Sequence, residues 1–165
     1  MPKQTDTRST TAFKTASALV GEVRDGHAAP SDIARAVLDD IELLDGSLNC
    51  FASLKPDDVM ARASVLDARL AKGEDLGPLA GLPVSVKDLL VAKGHPTTSG
   101  SITMRDNVVD LDAPVVERLS AAGAVMLGKT TTSEFGSKAV GDSPLSGITR
   151  NPWDTTKTPG GSSCG

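Results

Sequence analysis

A lysine set in an apolar run constrains this chain more than any other feature. Residues 79–92 read LAGLPVSVKDLLVA, with Lys87 and its neighbour Asp88 the charged members. Leu82, Val84 and Val86 alternate with Pro83, Ser85 and Lys87, and Leu89, Leu90 and Val91 extend the run, which predicts a largely buried strand of an α/β sheet. Gly77, Pro78 and Gly81 mark the turn that feeds it. Such a strand leaves the lysine two roles. Burial disfavours the ammonium form and lowers a lysine pKa, leaving an amine that accepts a proton near neutral pH, as a general base must. Alternatively, Lys87 lies at the strand end and reaches water along its aliphatic stem, with Asp88 beside it as a solvated charge. The stretch by itself favours the second role.

The 165 residues suffice for one domain with a real core, and 39% apolar content places the chain in the soluble globular class. Its 17 basic and 21 acidic residues leave a net charge of −4, the wrong sign for holding nucleic acid or an anionic membrane by charge. Phe13, Phe51, Phe135 and Trp153 are too scattered for a base-stacking platform. Cys50 and Cys164 lack any CxxC spacing, so reduced cysteines in a cytoplasmic protein are the simplest account. The polar start and the short apolar patch at 16–20 argue against export and membrane insertion. His27 and His95 fall in turn sequences without ligand-spaced partners and read as surface-loop residues; no metal and no cofactor is expected.

Apolar spacing predicts helices over 11–25 (Phe13, Ala16, Leu19, Val20, Val23), over 31–46 with Ser31 as N-cap and Ile33, Val37, Ile41 and Leu44 as its stripe, and from Pro56 to Gly73 with Val59, Ala63, Leu66 and Leu70. Asp39, Asp40, Glu42 and Asp45 read as the solvated face of the second helix. A short strand is placed at 48–54. The loop 93–101, KGHPTTSGS, either lines a site or is a plain polar connection. Asp112 and Pro114 start a helix with Val115, Val116 and Leu119 buried, and Ala124 to Leu127 form a strand, so strand, helix and strand imply a parallel crossover. Gly128, Lys129 and threonines 130–132 then leave the strand end, where open α/β sheets place ligands. From 137 to 165 the chain is rich in Gly, Pro, Ser and Thr and ends TPGGSSCG, either a flexible linker or a loop that holds a serine in an uncommon geometry.

Four stretches, GPLAGLPVSVKDL (77–89), TTSGS (97–101), DAPVVERLSAAGAVMLGKTTTSEFG (112–136) and GDSPLSGITRNPWDTTKTPGGSSCG (141–165), closely resemble the amidase signature family. The resemblance implies an α/β/α sandwich with a central mixed sheet, organised here as a helical part (1–75), a lysine strand with α/β core (76–136) and a Gly/Ser-rich active-site loop (137–165). It also implies hydrolysis of carboxamides by a Ser-cisSer-Lys triad. Lys87 stands where the family's base lysine stands, and Ser162, the first serine of GGSS, where its cis-serine stands, which reverses the preference about Lys87. Thr132, Phe135 and Ser163 are expected to line the site. Cys164 replaces the usual glycine or serine after GGSS and is not read as a nucleophile. The family's nucleophilic serine and its glycine-rich oxyanion turn fall after Gly165, so the resemblance implies the N-terminal part of an amidase, inactive by itself. A small-molecule amide is the expected partner, with a homodimer left open.

Three rival readings stay open. Residues 161–165 satisfy G-x-S-x-G, the nucleophile elbow of α/β-hydrolase esterases, with Ser163 as nucleophile, although TTKTPG before it is no apolar strand. The A subunit of a tRNA-dependent amidotransferase uses the same triad to release ammonia from glutamine for a partner; GDSPLSGITRNPW looks more like the freestanding enzymes. A non-catalytic remnant that keeps the scaffold is the third.

Overall fold

The structure, a computed structural model, describes Thr11 and residues 14–165. Helix α1 spans Ala16–Arg24 and starts later than its apolar spacing predicts, because the Thr15 hydroxyl caps it by accepting the Ala18 N–H at 3.2 Å. Phe13 lies outside the described residues. Helix α2 (Pro30–Leu48) starts at Pro30, not after Ser31: Pro30 takes the first helical turn, where a missing N–H costs nothing, and the Asp32 carboxylate accepts the Ala29 N–H at 3.4 Å. It runs through Gly46 and stops at Asn49, in the left-handed conformation at φ 56°. Asp40, read as part of a solvated face, is buried. Strand β1 (Phe51–Leu54) and helix α3 (Pro56–Leu70) follow, the helix burying Val59, Ala63 and Leu66 as its spacing requires.

Strand β2 is Pro83–Lys87; Leu89, Leu90 and Val91 leave the strand and turn away. Helix α4 (Pro114–Ala121) buries Val116 but leaves Val115, at the edge of the stripe, exposed. Strand β3 (Val125–Thr130) is buried at all six positions and extends past Leu127 to include Gly128, Lys129 and Thr130. It is central in a three-stranded sheet of order β1-β3-β2, antiparallel to β1 and parallel to β2. The alternation along β3 divides the core. Val125 and Leu127 face α1, α2 and α3 through Leu19, Val23, Ile33, Val59 and Leu66, while Met126 and Val86 pack on the other face with Val116 of α4. Helices therefore cover both faces of a mixed sheet. No described helix is long and apolar enough to cross a membrane.

Residues 137–165 are held mainly by polar contacts. A small hairpin, β4 (Asp142–Ser143) with β5 (Gly147–Ile148), is tied back to the end of α2: Asn49 Nδ2 donates to Ser146 O at 2.7 Å and Ile148 O at 3.2 Å, and Thr149 Oγ1 donates to Asn49 O at 2.8 Å. Trp153 at the tip beyond it is almost fully exposed.

His95 is buried rather than on a surface loop, because its loop folds under β1 and its Nδ1 shares a 3.0 Å hydrogen bond with Ser53 Oγ. Burial, then the positive charges of Lys55, Arg62 and Lys129, hold its pKa below the ordinary 6.5, opposed by Asp58. The unfolded chain thus takes up a proton near pH 6.5 that the folded chain refuses, so this contribution is complete above that pH and lost as pH falls below it. We expect thermal scans of His95→Gln between about pH 7 and pH 5 to show a shallower acid loss of Tm than the parent. Parallel losses in the two proteins would refute it.

Candidate active site

Lys87 ends β2, opposite Thr130 of β3. Val86, one position earlier, points into the α4 side of the core, so the alternation turns Lys87 to the other side, where it is half-buried. Its Nζ donates to Ser162 Oγ at 2.6 Å across 75 residues of sequence. The aliphatic stem therefore delivers the amine to a hydroxyl.

Ser162 is brought there by an extension of β3. Ser162 O accepts the Thr132 hydroxyl at 3.0 Å and the Ser133 N–H at 3.3 Å, Thr132 and Ser163 form an antiparallel bridge, and the Cys164 N–H donates to Thr131 O at 3.2 Å. The Gly161–Ser162 peptide bond is cis. Only glycine fits at 161, since a Cβ there would lie 2.7 Å from Val140 O and 2.9 Å from Lys138 O. Cys164 is buried, its Sγ 3.4 Å from Ser162 O, and burial pushes the thiol pKa up, which suits a small packing residue better than a nucleophile.

The remaining expected site residues fall in different places. Thr132 is buried and spends its hydroxyl on the backbone oxygens of Ser162 and Ser133, so it supports Ser162 from behind. Phe135 sits in a 3-10 turn, Glu134–Gly136, at φ 49°, with its ring largely exposed and its N–H donated to Ser99 O at 2.8 Å. Ser163 is exposed, and residues 155–161 before it are turn and coil, not the strand that an esterase elbow requires.

Asp88 is not a solvated charge. It is 1% exposed and paired with Lys129, itself 0% exposed, whose Nζ donates to Asp88 Oδ1 at 2.9 Å, Thr97 Oγ1 at 3.0 Å and Pro96 O at 3.2 Å. Burial pulls the Lys129 pKa down, and the bond to Asp88 opposes it. The sequence held a signal for this pair: AVMLGKTTT sets Lys129 in an apolar strand much as PVSVKD sets Lys87. Ending that strand at Leu127 hides it.

Among the described residues no group of three or more His, Cys, Asp or Glu side chains could hold a metal ion. An apolar cavity of about 230 Å³ between α2 and β1, lined by Val37, Ile41, Leu44, Leu48 and Phe51, includes neither Lys87 nor Ser162. Chemically, the Lys87–Ser162 pair is suited to moving a proton to and from a third group presented to Ser162.

Comparison with known proteins places these features among relatives. Residues 32–165 match the family model described as Amidase. The chain is 41% identical over 150 residues to the A subunit of glutamyl-tRNA(Gln) amidotransferase from Renibacterium salmoninarum, covering 91% of this chain and 29% of that protein. It is 43% identical over 141 residues to the corresponding protein of the same name from Symbiobacterium thermophilum, covering 85% and 29%. Among solved structures, the peptide amidase of Stenotrophomonas maltophilia superposes with a TM-score of 0.87 at 33% identity, over 93% of this chain and 33% of that one. The chain thus spans a third or less of the length of these relatives.

Proposed function

Because this chain belongs to the amidase signature family, we propose that it supplies the base and the relaying serine of a serine amidase that hydrolyses a carboxamide C–N bond. The 2.6 Å contact between Lys87 Nζ and Ser162 Oγ carries this reading. In the proposed reaction the Lys87 amine takes the Ser162 proton as Ser162 takes that of a nucleophilic serine, whose oxygen attacks the amide carbon. The tetrahedral intermediate expels the amine or ammonia, which receives the proton back through Ser162. Water then attacks the acyl-enzyme by the same route and releases the carboxylic acid. The nucleophile and the oxyanion donors come from sequence outside residues 1–165. Two free cysteines fit a reducing cytoplasm, and a small-molecule amide fits the proposed chemistry.

A second reading has its own support. The two curated relatives are named as amidotransferase components and are more similar in sequence than the peptide amidase, which weighs against the freestanding look of residues 141–153. In that reading the same relay releases ammonia from glutamine for a partner enzyme acting on charged tRNA.

Ammonia release separates the two readings, using a protein in which this chain is extended to the length of its relatives. Hydrolysis of simple carboxamides without a partner supports the amidase. Release from glutamine only with partner proteins and charged tRNA supports the amidotransferase. Ester cleavage alone, with Ser163 acylated, would overturn both. Residues 1–165 by themselves are expected to release no ammonia, since covalent catalysis and oxyanion stabilisation are both lacking.

A further inference from the structure

The buried Asp88–Lys129 pair lies next to the relay without belonging to it. Asp88 follows Lys87 directly, at the turn that ends β2, and its carboxylate is committed to Lys129 and Thr98 rather than to the Lys87 amine. Every polar group of Asp88 is engaged. Its N–H donates to Thr130 O at 2.9 Å, its carbonyl accepts the Ser99 N–H at 3.1 Å, and its carboxylate accepts Lys129 Nζ, the Thr98 N–H at 3.2 Å and the Thr98 hydroxyl. The main chain carrying Lys87 is thereby clamped to β3 on one side and to loop 97–100 on the other.

The same clamp reaches the other half of the relay. Loop 97–100 presents Ser99 O to the Phe135 N–H at 2.8 Å, and the next residue, Gly136, lies so near Ser162 that a Cβ on it would be 3.8 Å from Ser162 Oγ. Strand β3, which supplies Lys129, continues into Thr131, Thr132 and Ser133, which hold the backbone of Ser162 and Cys164. Lys87 and Ser162 are therefore both registered to one buried ion pair, although 75 residues separate them.

We propose that Asp88 and Lys129 are positioning residues for the Lys87–Ser162 relay: their ion pair, with Thr98, sets the distance between amine and hydroxyl and so controls kcat. This rests on the amidase reading. Replacing a buried pair by neutral groups often leaves stability nearly unchanged, whereas removing one partner strands a charge. Misplacing a catalytic group by about 1 Å from a remote position can cost about 100-fold in rate. The fold and the rate can therefore be separated by experiment.

The test uses the family-length protein, with kcat, KM and Tm measured for the parent, for Asp88→Asn and for the double variant Asp88→Asn/Lys129→Met. The single variant should lose Tm. The double variant should recover most of it yet keep kcat reduced by about 100-fold at nearly unchanged KM. Recovery of kcat together with Tm would make the pair a plain structural contact and overturn the proposal. If the double variant does not fold, Thr98→Val, which keeps both charges but removes the hydroxyl that holds the Asp88 carboxylate in place, should lower kcat by about 10-fold at unchanged KM, with Thr98→Ser restoring it; unchanged kcat in Thr98→Val overturns the proposal. Failure of the amidase reading looks different: Lys87→Ala would then retain the parent's activity.

Discussion

Lys87→Ala in the family-length protein should lower carboxamide turnover by about 1,000- to 10,000-fold while leaving the far-UV spectrum and most of the Tm intact. The large kinetic effect follows from the proposed role, in which the amine is the terminal proton acceptor for Ser162 and no other described side-chain nitrogen makes a hydrogen bond to Ser162 Oγ. The small structural effect follows from position: Lys87 is the last residue of an outer strand and half-buried, and its side chain contributes one hydrogen bond, worth about 1 kcal/mol net. Lys87→Arg sharpens the test. A guanidinium keeps the charge and can still donate to Ser162, but does not give up its proton at any working pH, so arginine should rescue the fold and not the rate. Substantial activity in Lys87→Arg would show that the positive charge, not proton transfer, is what the site requires.

Gly128→Val should lower the melting temperature of residues 1–165 by roughly 6 to 12 °C, or prevent folding altogether. Gly128 lies in the central strand opposite Leu54, and a Cβ there would be driven into the backbone carbonyl of Ser53 and within 3.3 Å of Leu54 Cα. Neither neighbour is a side chain that can swing away, so β1 must separate from β3 or the strand must bulge. Overpacking of this kind costs about 1–3 kcal/mol, and more when the obstacle is main chain. Gly46→Ala is the internal control. Gly46 is inside α2 with nothing within 4 Å of the added carbon, so alanine should stabilise the protein by about 0.5–1 kcal/mol. Calorimetry of the two variants reads both effects; equal shifts in the same direction would contradict the account of Gly128.

Much of the scaffold is legible from local chemistry. The spacing of Val59, Ala63 and Leu66, the prolines at 56 and 114 and the alternation around Val84 and Val86 each specify an element through interactions within a turn or two of the chain. The departures from sequence expectation share one cause. Asp88, Lys129, His95 and Asp40 are ionisable, and ionisable groups usually sit in water, so local chemistry places them outside the core. For three of them the burying partner is distant in sequence: Lys129 meets Asp88 across 41 residues, and His95 meets Ser53 across 42. The position of Lys87 beside Ser162 is non-local in the same way, and neither PVSVKD nor GGSS alone implies it. There the family resemblance supplies what periodicity cannot. Helix starts differ from expectation by one residue at Pro30 and by several at Ala16, where a proline and a capping threonine, not the apolar stripe, decide the boundary.

The tether between Asn49 and residues 146–149 implies an order of events in folding. Its hydrogen bonds close loops of roughly a hundred residues and bury little apolar surface, so they cannot offset the entropy of closure by themselves. They become favourable only once α2 and β1 are docked on β3, which fixes in advance both Asn49 and Thr131, whose hydroxyl shares a 2.6 Å hydrogen bond with that of Thr149. The segment that carries Ser162 therefore settles onto a scaffold already formed. Of the two relay partners, Lys87 belongs to the sheet through β2, so Ser162 is the one expected to order later and to be released earlier when the fold loosens.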